Sequence, residues 1–171
     1  MKKLPTKIII LTILLLFLKV GSAQAAYNPN DVTEPSGLSV NQIYNLLEDT
    51  TYHYADIAET FYRAEKNYGV NSHFLVALSK FESGRGTNKL TKYNNNIFSF
   101  KNVDGSWKQF NSIQESIDFA ARNLKKYYLT PGAKYFNGYG IKDIRKCYCP
   151  DGSSWNESIN AIIFKEMKSK I

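Results

Sequence analysis

A mostly α-helical single domain carrying one short β-hairpin is the fold expected of this chain of 171 residues. Three observations lead there. Apolar residues recur at helical spacing in several separate segments. Clusters of Gly, Pro and Asn punctuate those segments. One stretch, residues 97–110, drops the helical period and sets aromatic residues on both sides of Asp104-Gly105, a dipeptide favoured at hairpin turns. The length suits one domain with a core of its own.

The N-terminus reads as a targeting segment. Lys2, Lys3 and Lys7 precede an apolar run over 8–18, and Ala23-Gln24-Ala25 has the small-x-small form of a cleavage site. Residues 1–25 are therefore expected to be a secretory signal peptide. The run falls short of the roughly 20 apolar residues a membrane span needs, and an uncleaved anchor is the alternative. Absence of a cysteine near the cleavage site argues against a lipid anchor. The whole chain carries +7, but removing the four signal lysines leaves 18 basic and 15 acidic residues, or +3. That mild excess favours approach to an anionic surface and gives no argument for nucleic acid.

Residues 26–38 hold Pro29 and Pro35 and read as an extended arm. Ser39 caps a short helix over 40–48, with Ile43, Leu46 and Leu47 inward. A longer helix over 54–68 carries the stripe Ile57, Phe61, Ala64 and Tyr68, and Gly69 ends it. Asn71 or Ser72 caps the next helix. In it Phe74, Leu78 and Phe81 form one stripe, and Leu75, Ser79 and Glu82 form its neighbour. Glu82 thus falls in the last turn, at the border of a buried face. Gly84 and Gly86 follow, where a helix end wants a residue tolerant of positive φ. An Asn-rich turn then leads to a short aromatic strand.

Phe98, Phe100, Trp107 and Phe110 flank Asp104-Gly105, and the expected hairpin must lean on the helices, because two strands alone are marginal. It is placed as a wall facing Glu82. Ser112 and Glu115 form a capping box that opens a helix over 113–128, with Ile117, Ala121, Leu124 and Tyr128 on its inner face. The box explains Glu115 more simply than a catalytic role. Residues 130–140 read as a loop, 141–147 as a short helix, 149–154 as a turn, and 155–168 as a last helix burying Ile159, Ile162 and Ile163.

Cys147 and Cys149 are the only cysteines. A bridge between them would close across Tyr148 alone and be strained. Free thiols or a redox-labile loop are expected, with an intermolecular bridge as the alternative. His53 and His73 lack finger-like spacing, so no metal site is expected, and no cofactor is implied.

Glu82 is the residue with chemical consequence. The negative end of a helix disfavours a further negative charge, and burial beside aromatic rings disfavours it again. Both raise a carboxyl pKa toward that of an acid able to donate a proton near neutrality. A surface glutamate at a fraying helix end is the plainer alternative.

FESGRGTN followed by KYNNNIFSFK resembles the catalytic core of glycoside hydrolase family 73, the endo-β-N-acetylglucosaminidases that cleave peptidoglycan. PSGLSVNQI, AETFYRAEKNYGVNSHFL and NGYGIKDIRKCYCPDGSSWNESI extend the likeness over nearly all of the mature chain. The resemblance implies a lysozyme-like catalytic domain over 39–171, with the hairpin as one wall of the cleft. It implies Glu82 as general acid and Tyr148 facing the cleft. It implies Asn95, Asn96, Phe98, Phe100 and Lys101 as substrate-binding residues. Ser99 stands where the family usually has Gly, Phe100 where it has a smaller aliphatic residue, and Cys-Tyr-Cys-Pro departs from the usual small residue after the tyrosine.

The implied partner is the peptidoglycan glycan strand, met outside the cell or in the wall, with no nucleic acid and no stable membrane anchor after cleavage. A wall or secretion-machinery partner is left unnamed. Glycoside hydrolysis normally uses two carboxylates. Either Asp104 positions a water, or the substrate's own N-acetyl group attacks the anomeric carbon with Tyr148 orienting it; the second route is preferred, since a turn Asp is explained by the turn itself. A muramidase or lytic transglycosylase is the nearest rival, although the Gly-Leu-Met-Gln-like segment of the transglycosylases is missing. The rival from another class is a non-catalytic wall-binding or assembly protein that keeps the fold.

Overall fold

The computed structural model describes residues 27–152 and 154–170; the expected signal peptide over 1–25 lies outside them. Seven α-helices follow in chain order: α1 (Val40–Leu46), α2 (Ala55–Tyr68), α3 (Ser72–Ser83), α4 (Lys89–Asn94), α5 (Ile113–Tyr127), α6 (Ile141–Tyr148) and α7 (Trp155–Ala161). Beyond α7 the chain continues as a π-helical segment, Ile162–Met167, and a 3₁₀ turn, Lys168–Lys170. The fold is mostly helical, as expected. None of the helices among the described residues is long and apolar enough to cross a membrane.

Helix α3 is the centre. Asn71 caps it, its Oδ1 accepting from His73 N at 2.9 Å and Phe74 N at 3.4 Å. Every residue from Ser72 to Lys80 is buried, so this helix has no solvent face over its first nine residues. Each fully buried Phe or Leu there contributes about 1.5–3 kcal/mol. Helices α1 and α2 pack together, α2 lies on α5, and α3 meets α2 and α7. The stripe expected on α2 is present, with Ile57, Phe61 and Ala64 buried and Tyr68 half-buried. Phe81, expected on the core stripe of α3, is instead 39% exposed. The last turn of the helix is covered on one side only: Lys80 and Ser83 stay fully buried, while Phe81 is exposed and Glu82 half-buried.

Residues 27–38 are stitched into the fold. Val32, fully buried, donates its N–H to Tyr139 O at 2.9 Å and accepts from Asn71 N at 2.8 Å. The buried Glu65 of α2 ties this segment to α3, accepting from Ser36 N at 2.9 Å and Ser72 N at 2.6 Å.

Three expectations are corrected. The Asn-rich turn is partly a helix: α4 begins at Asn88, whose Oδ1 accepts from Thr91 N at 2.8 Å, and ends at Asn95 in the left-handed region. The hairpin does not form a ladder; it reduces, among the described residues, to one antiparallel bridge, Lys101 with Trp107. The physical cause is Asn96. Its buried amide donates to Phe100 O and Lys108 O, both at 2.8 Å, and accepts from Phe100 N at 3.0 Å. Phe100 O still accepts from Lys108 N at 2.9 Å beside the bridge, but Phe100 N and Lys108 O, the pair that the next rung would join, are both taken by Asn96. The capping box at α5 is displaced by one residue. Ser112 Oγ accepts from Glu115 N at 3.1 Å as expected, but Glu115 Oε2 accepts from Asn111 N at 2.7 Å. Ser39 and Gln42 form the reciprocal box at α1.

Candidate active site

Glu82 ends α3 against a wall of aromatic side chains. Gly84 stops the helix at φ 56°, and its N–H returns to Lys80 and Phe81 carbonyls. Gly86 is required by space as well as by its φ of 87°: a Cβ there would collide with Thr51 Oγ1 and meet the Tyr52 ring at 2.9 Å. Tyr52 in turn shares hydrogen bonds with Ser79 at 3.1 Å and Ser83 at 3.4 Å. The ESGRG turn is thereby clamped to the α1–α2 connection, which fixes the direction of Glu82.

The Glu82 carboxylate is half-buried and accepts from Trp155 Nε1 at 3.0 Å. Burial pushes its pKa up from the ordinary carboxylate value, while hydrogen bonding from Trp155 and Ser99 pulls it down by less. The net direction is that of a proton donor. Its backbone is held too: Glu82 O accepts from Asn88 Nδ2 at 3.0 Å and from Ser99 Oγ at 3.1 Å.

Ser99 has φ 55°. A left-handed conformation costs an L-residue about 1–2 kcal/mol, which accounts physically for glycine being usual there. Here the hydroxyl that glycine lacks is used on the carbonyl of the candidate acid.

Tyr148, the last residue of α6, donates its hydroxyl proton to Phe98 O at 3.0 Å. Its ring lies 5.5 Å from Trp155 and 6.0 Å from Phe100. Burial, and next the nearby Glu82 charge, raise the phenol pKa well above 10, so it stays protonated. Trp155 thus bonds the Glu82 carboxylate, Tyr148 lies close enough for its phenol to feel the Glu82 charge, and Phe98 and Phe100 pack with Tyr148 in the same aromatic cluster.

The other expected site residues divide. Phe98 is buried and Phe100 half-buried within this cluster. Asn96 is fully buried, its amide consumed by the three backbone bonds described above. Asn95 Nδ2 donates to Phe110 O at 3.1 Å. These two asparagines build the wall. Lys101 is exposed, its Nζ 4.7 Å from the Trp107 ring centroid. Asp104 sits fully exposed at the loop tip, where its Oδ1 accepts from Ser106 N at 2.9 Å and Ser106 Oγ at 2.6 Å. No group of three or more His, Cys, Asp or Glu among the described residues is placed to hold a metal. Cys147 and Cys149 are free thiols, one exposed and one half-buried.

Sequence reasoning missed the bond from Trp155 to Glu82. A usable signal existed: a buried indole needs a partner for its N–H. It also missed Lys80, fully buried, whose Nζ meets Asp49 Oδ1 at 2.6 Å. A lysine inside an apolar helix asks for such a partner.

A helical domain with one half-buried acid in the last turn of a helix, bonded by an indole, is compatible with glycoside hydrolase chemistry. Solved structures share this architecture. The chain aligns with a catalytic mutant of S. aureus Autolysin E in complex with the disaccharide NAG-NAM at a TM-score of 0.67 and 20% identity, over 84% of this chain and 74% of that one. Autolysin E in complex with the muropeptide NAM-L-Ala-D-iGlu aligns at 0.65 and 20%, over 86% and 76%. Residues 58–168 match the glucosaminidase family, described as mannosyl-glycoprotein endo-beta-N-acetylglucosaminidase, and the chain belongs to it. Proteins of two Streptococcus pneumoniae strains, provisionally named endo-beta-N-acetylglucosaminidase, are 28% identical to it over 142 residues. That alignment covers 79% of this chain but only about a fifth of each relative.

Proposed function

We propose that the protein hydrolyses the β-1,4 bond after N-acetylglucosamine in peptidoglycan, with Glu82 as general acid, outside the cell after removal of residues 1–25. The observation that carries this reading is the Glu82 carboxyl: placed in the last turn of α3, raised in pKa by burial, and oriented by Trp155. Glycan-bound structures of the Autolysin E fold support a sugar strand as the ligand.

Protonated Glu82 donates to the glycosidic oxygen as the bond breaks, and the sugar gains oxocarbenium character. The substrate's N-acetyl oxygen then attacks the anomeric carbon from the other face, and water later opens the ring so formed. Tyr148 suits the orienting role. Its proton is committed to Phe98 O, so its oxygen offers a lone pair that can accept the acetamido N–H and aim the carbonyl oxygen at carbon. Asp104 is explained by its loop, where Ser106 occupies it. Phe98, Phe100 and Lys101 complete the groove wall, with Asn95 and Asn96 supporting it.

The test is clearing of purified walls by residues 26–171 beside Glu82→Gln and Asp104→Asn, each shown folded. General acid catalysis contributes about 10²–10⁴-fold, so Glu82→Gln is expected to lose at least that. Asp104→Asn, which can still accept from Ser106, should keep most of the activity. A folded but inactive Asp104→Asn protein would overturn the N-acetyl route. Reducing N-acetylglucosamine ends in the digest support the bond assignment, whereas anhydromuramic ends would assign the activity to a lytic transglycosylase.

A further inference from the structure

Positive charge is concentrated in one stretch of the chain. Residues 119–142 contain Arg122, Lys125, Lys126, Lys134 and Lys142 and no acid, although the mature chain as a whole is nearly balanced. On α5, Phe119, Arg122, Asn123, Lys126 and Tyr127 share one stripe and line a pocket. Arg122 and Lys126 are exposed and one helical turn apart, about 6 Å along the axis.

The cations are held in place by rings. Lys108 Nζ lies 4.9 Å from the Phe119 centroid, and Arg122 Cζ lies 5.9 Å from the same ring. Lys126 and Lys134 each lie 4.9 Å from the centroids of Tyr127 and Tyr135. Such contacts contribute about 0.5–1 kcal/mol at exposed sites and restrain side chains that a ligand would otherwise have to order. The neighbouring acid is Asp118, which receives the Tyr68 hydroxyl at 2.7 Å and stands 4.0 Å from Arg122 Nε. Lys125, Lys126 and Lys134 have no ion-pair partner among the described residues. The strip is continuous with the candidate cleft: Phe119 packs on Phe100 at 5.1 Å, and Phe100 on Tyr148 at 6.0 Å.

We propose that this face of α5 is a second binding site, for a phosphate-bearing polyanion of the cell wall, holding the protein on the wall while the Glu82 cleft acts on the glycan. A guanidinium and an ammonium repeated at one-turn spacing fit a chain of regularly repeated negative charge, and guanidinium matches phosphate oxygens in a fork. The role in wall cleavage rests on the function proposed above; the binding itself does not.

The experiment measures retention on isolated sacculi in the Glu82→Gln background, so that the sacculi are not consumed. Arg122→Glu/Lys126→Glu is compared with Lys66→Glu/Lys89→Glu, exposed positions on α2 and α4 with the same change in charge. We expect at least fivefold weaker binding for the α5 pair and little change for the control. On sacculi stripped of phosphodiester-linked polymer by hydrofluoric acid, the parent should fall to the level of the α5 variant. Unchanged binding of the α5 variant overturns the proposal. Equal losses for both pairs overturn it as well, reducing the effect to net charge. A difference that persists on stripped sacculi also overturns it and points to carboxylates of the peptide stems, which amidase treatment would then remove. Loss of clearing by the Glu82 protein would bear on the glucosaminidase reading alone, because no step of the binding assay needs cleavage.

Discussion

Glu82 shows how much a single contact decides. A carboxyl with a raised pKa binds its proton more tightly in the folded state than in the unfolded chain. Stability therefore falls as pH climbs from the unfolded value of 4.5 through the folded one. Glu82→Gln removes that penalty, so it should melt higher than the parent at pH 7, with the difference vanishing below pH 4.5; calorimetry at several pH values checks this. Trp155 tempers the same carboxyl through its indole N–H. Trp155→Phe keeps a ring and removes the bond, which lets the Glu82 pKa rise further. In the proposed mechanism activity depends on the protonated acid, so the alkaline limb of the kcat/KM profile should move to higher pH. An unmoved limb would mean that the indole acts by packing alone.

At the scale of elements, the loop over 97–110 is the informative case. Its aromatic alternation and Asp104-Gly105 turn call for a hairpin, yet Asn96 takes Phe100 N and Lys108 O, the two groups that the next rung of a ladder would join. A side chain thus replaces a strand pairing, and the wall beside Glu82 is held by one buried amide. Leaving a buried polar group unsatisfied costs about 1–3 kcal/mol. Asn96→Ala should accordingly lower stability by at least that much and speed exchange of the Phe100 amide. Asn96→Asp keeps the acceptor for that amide and should protect it better than alanine does. Equal exchange in both variants would refute the assignment.

Across the whole molecule, Asp49 joins distant parts of the chain. It receives Lys80 from α3 at 2.6 Å and Arg85 from the turn after it at 2.9 Å, and Lys170 approaches to 3.5 Å. Arg85 reaches on to Glu166 at 2.6 Å. Burial by itself would raise the Asp49 carboxyl, but hydrogen bonds from Lys80 and Arg85 outweigh it and hold the pKa far below the ordinary value of 3.8. A depressed carboxyl stabilises the fold above its unfolded pKa and loses that contribution as pH falls toward the folded one. Urea midpoints should therefore drop as the solution is acidified below 3.8, and less so in Asp49→Asn. Lys80→Met fills the same space without the ammonium and should cost about 1–3 kcal/mol, read from the same titrations.

Much of this was legible in one dimension. Local spacing and capping chemistry act between neighbours in the chain, so Ser39, Asn71, Gly69 and Gly84 place helix ends correctly, and the period places Glu82 in the last turn of α3. The likeness of FESGRGTN and KYNNNIFSFK to the glucosaminidases pointed to the family that residues 58–168 then matched. Tertiary structure decided whatever depends on residues far apart in sequence. It exposed Phe81 where the stripe continues, because the last turn of α3 is covered only on the side of Lys80 and Ser83. It set Trp155 on Glu82 across 73 positions and Lys80 on Asp49 across 31. It also let Asn96 replace a ladder. Burial and partner choice are properties of the assembled interior, and they determine whether the carboxyl at position 82 is an ordinary surface charge or an acid.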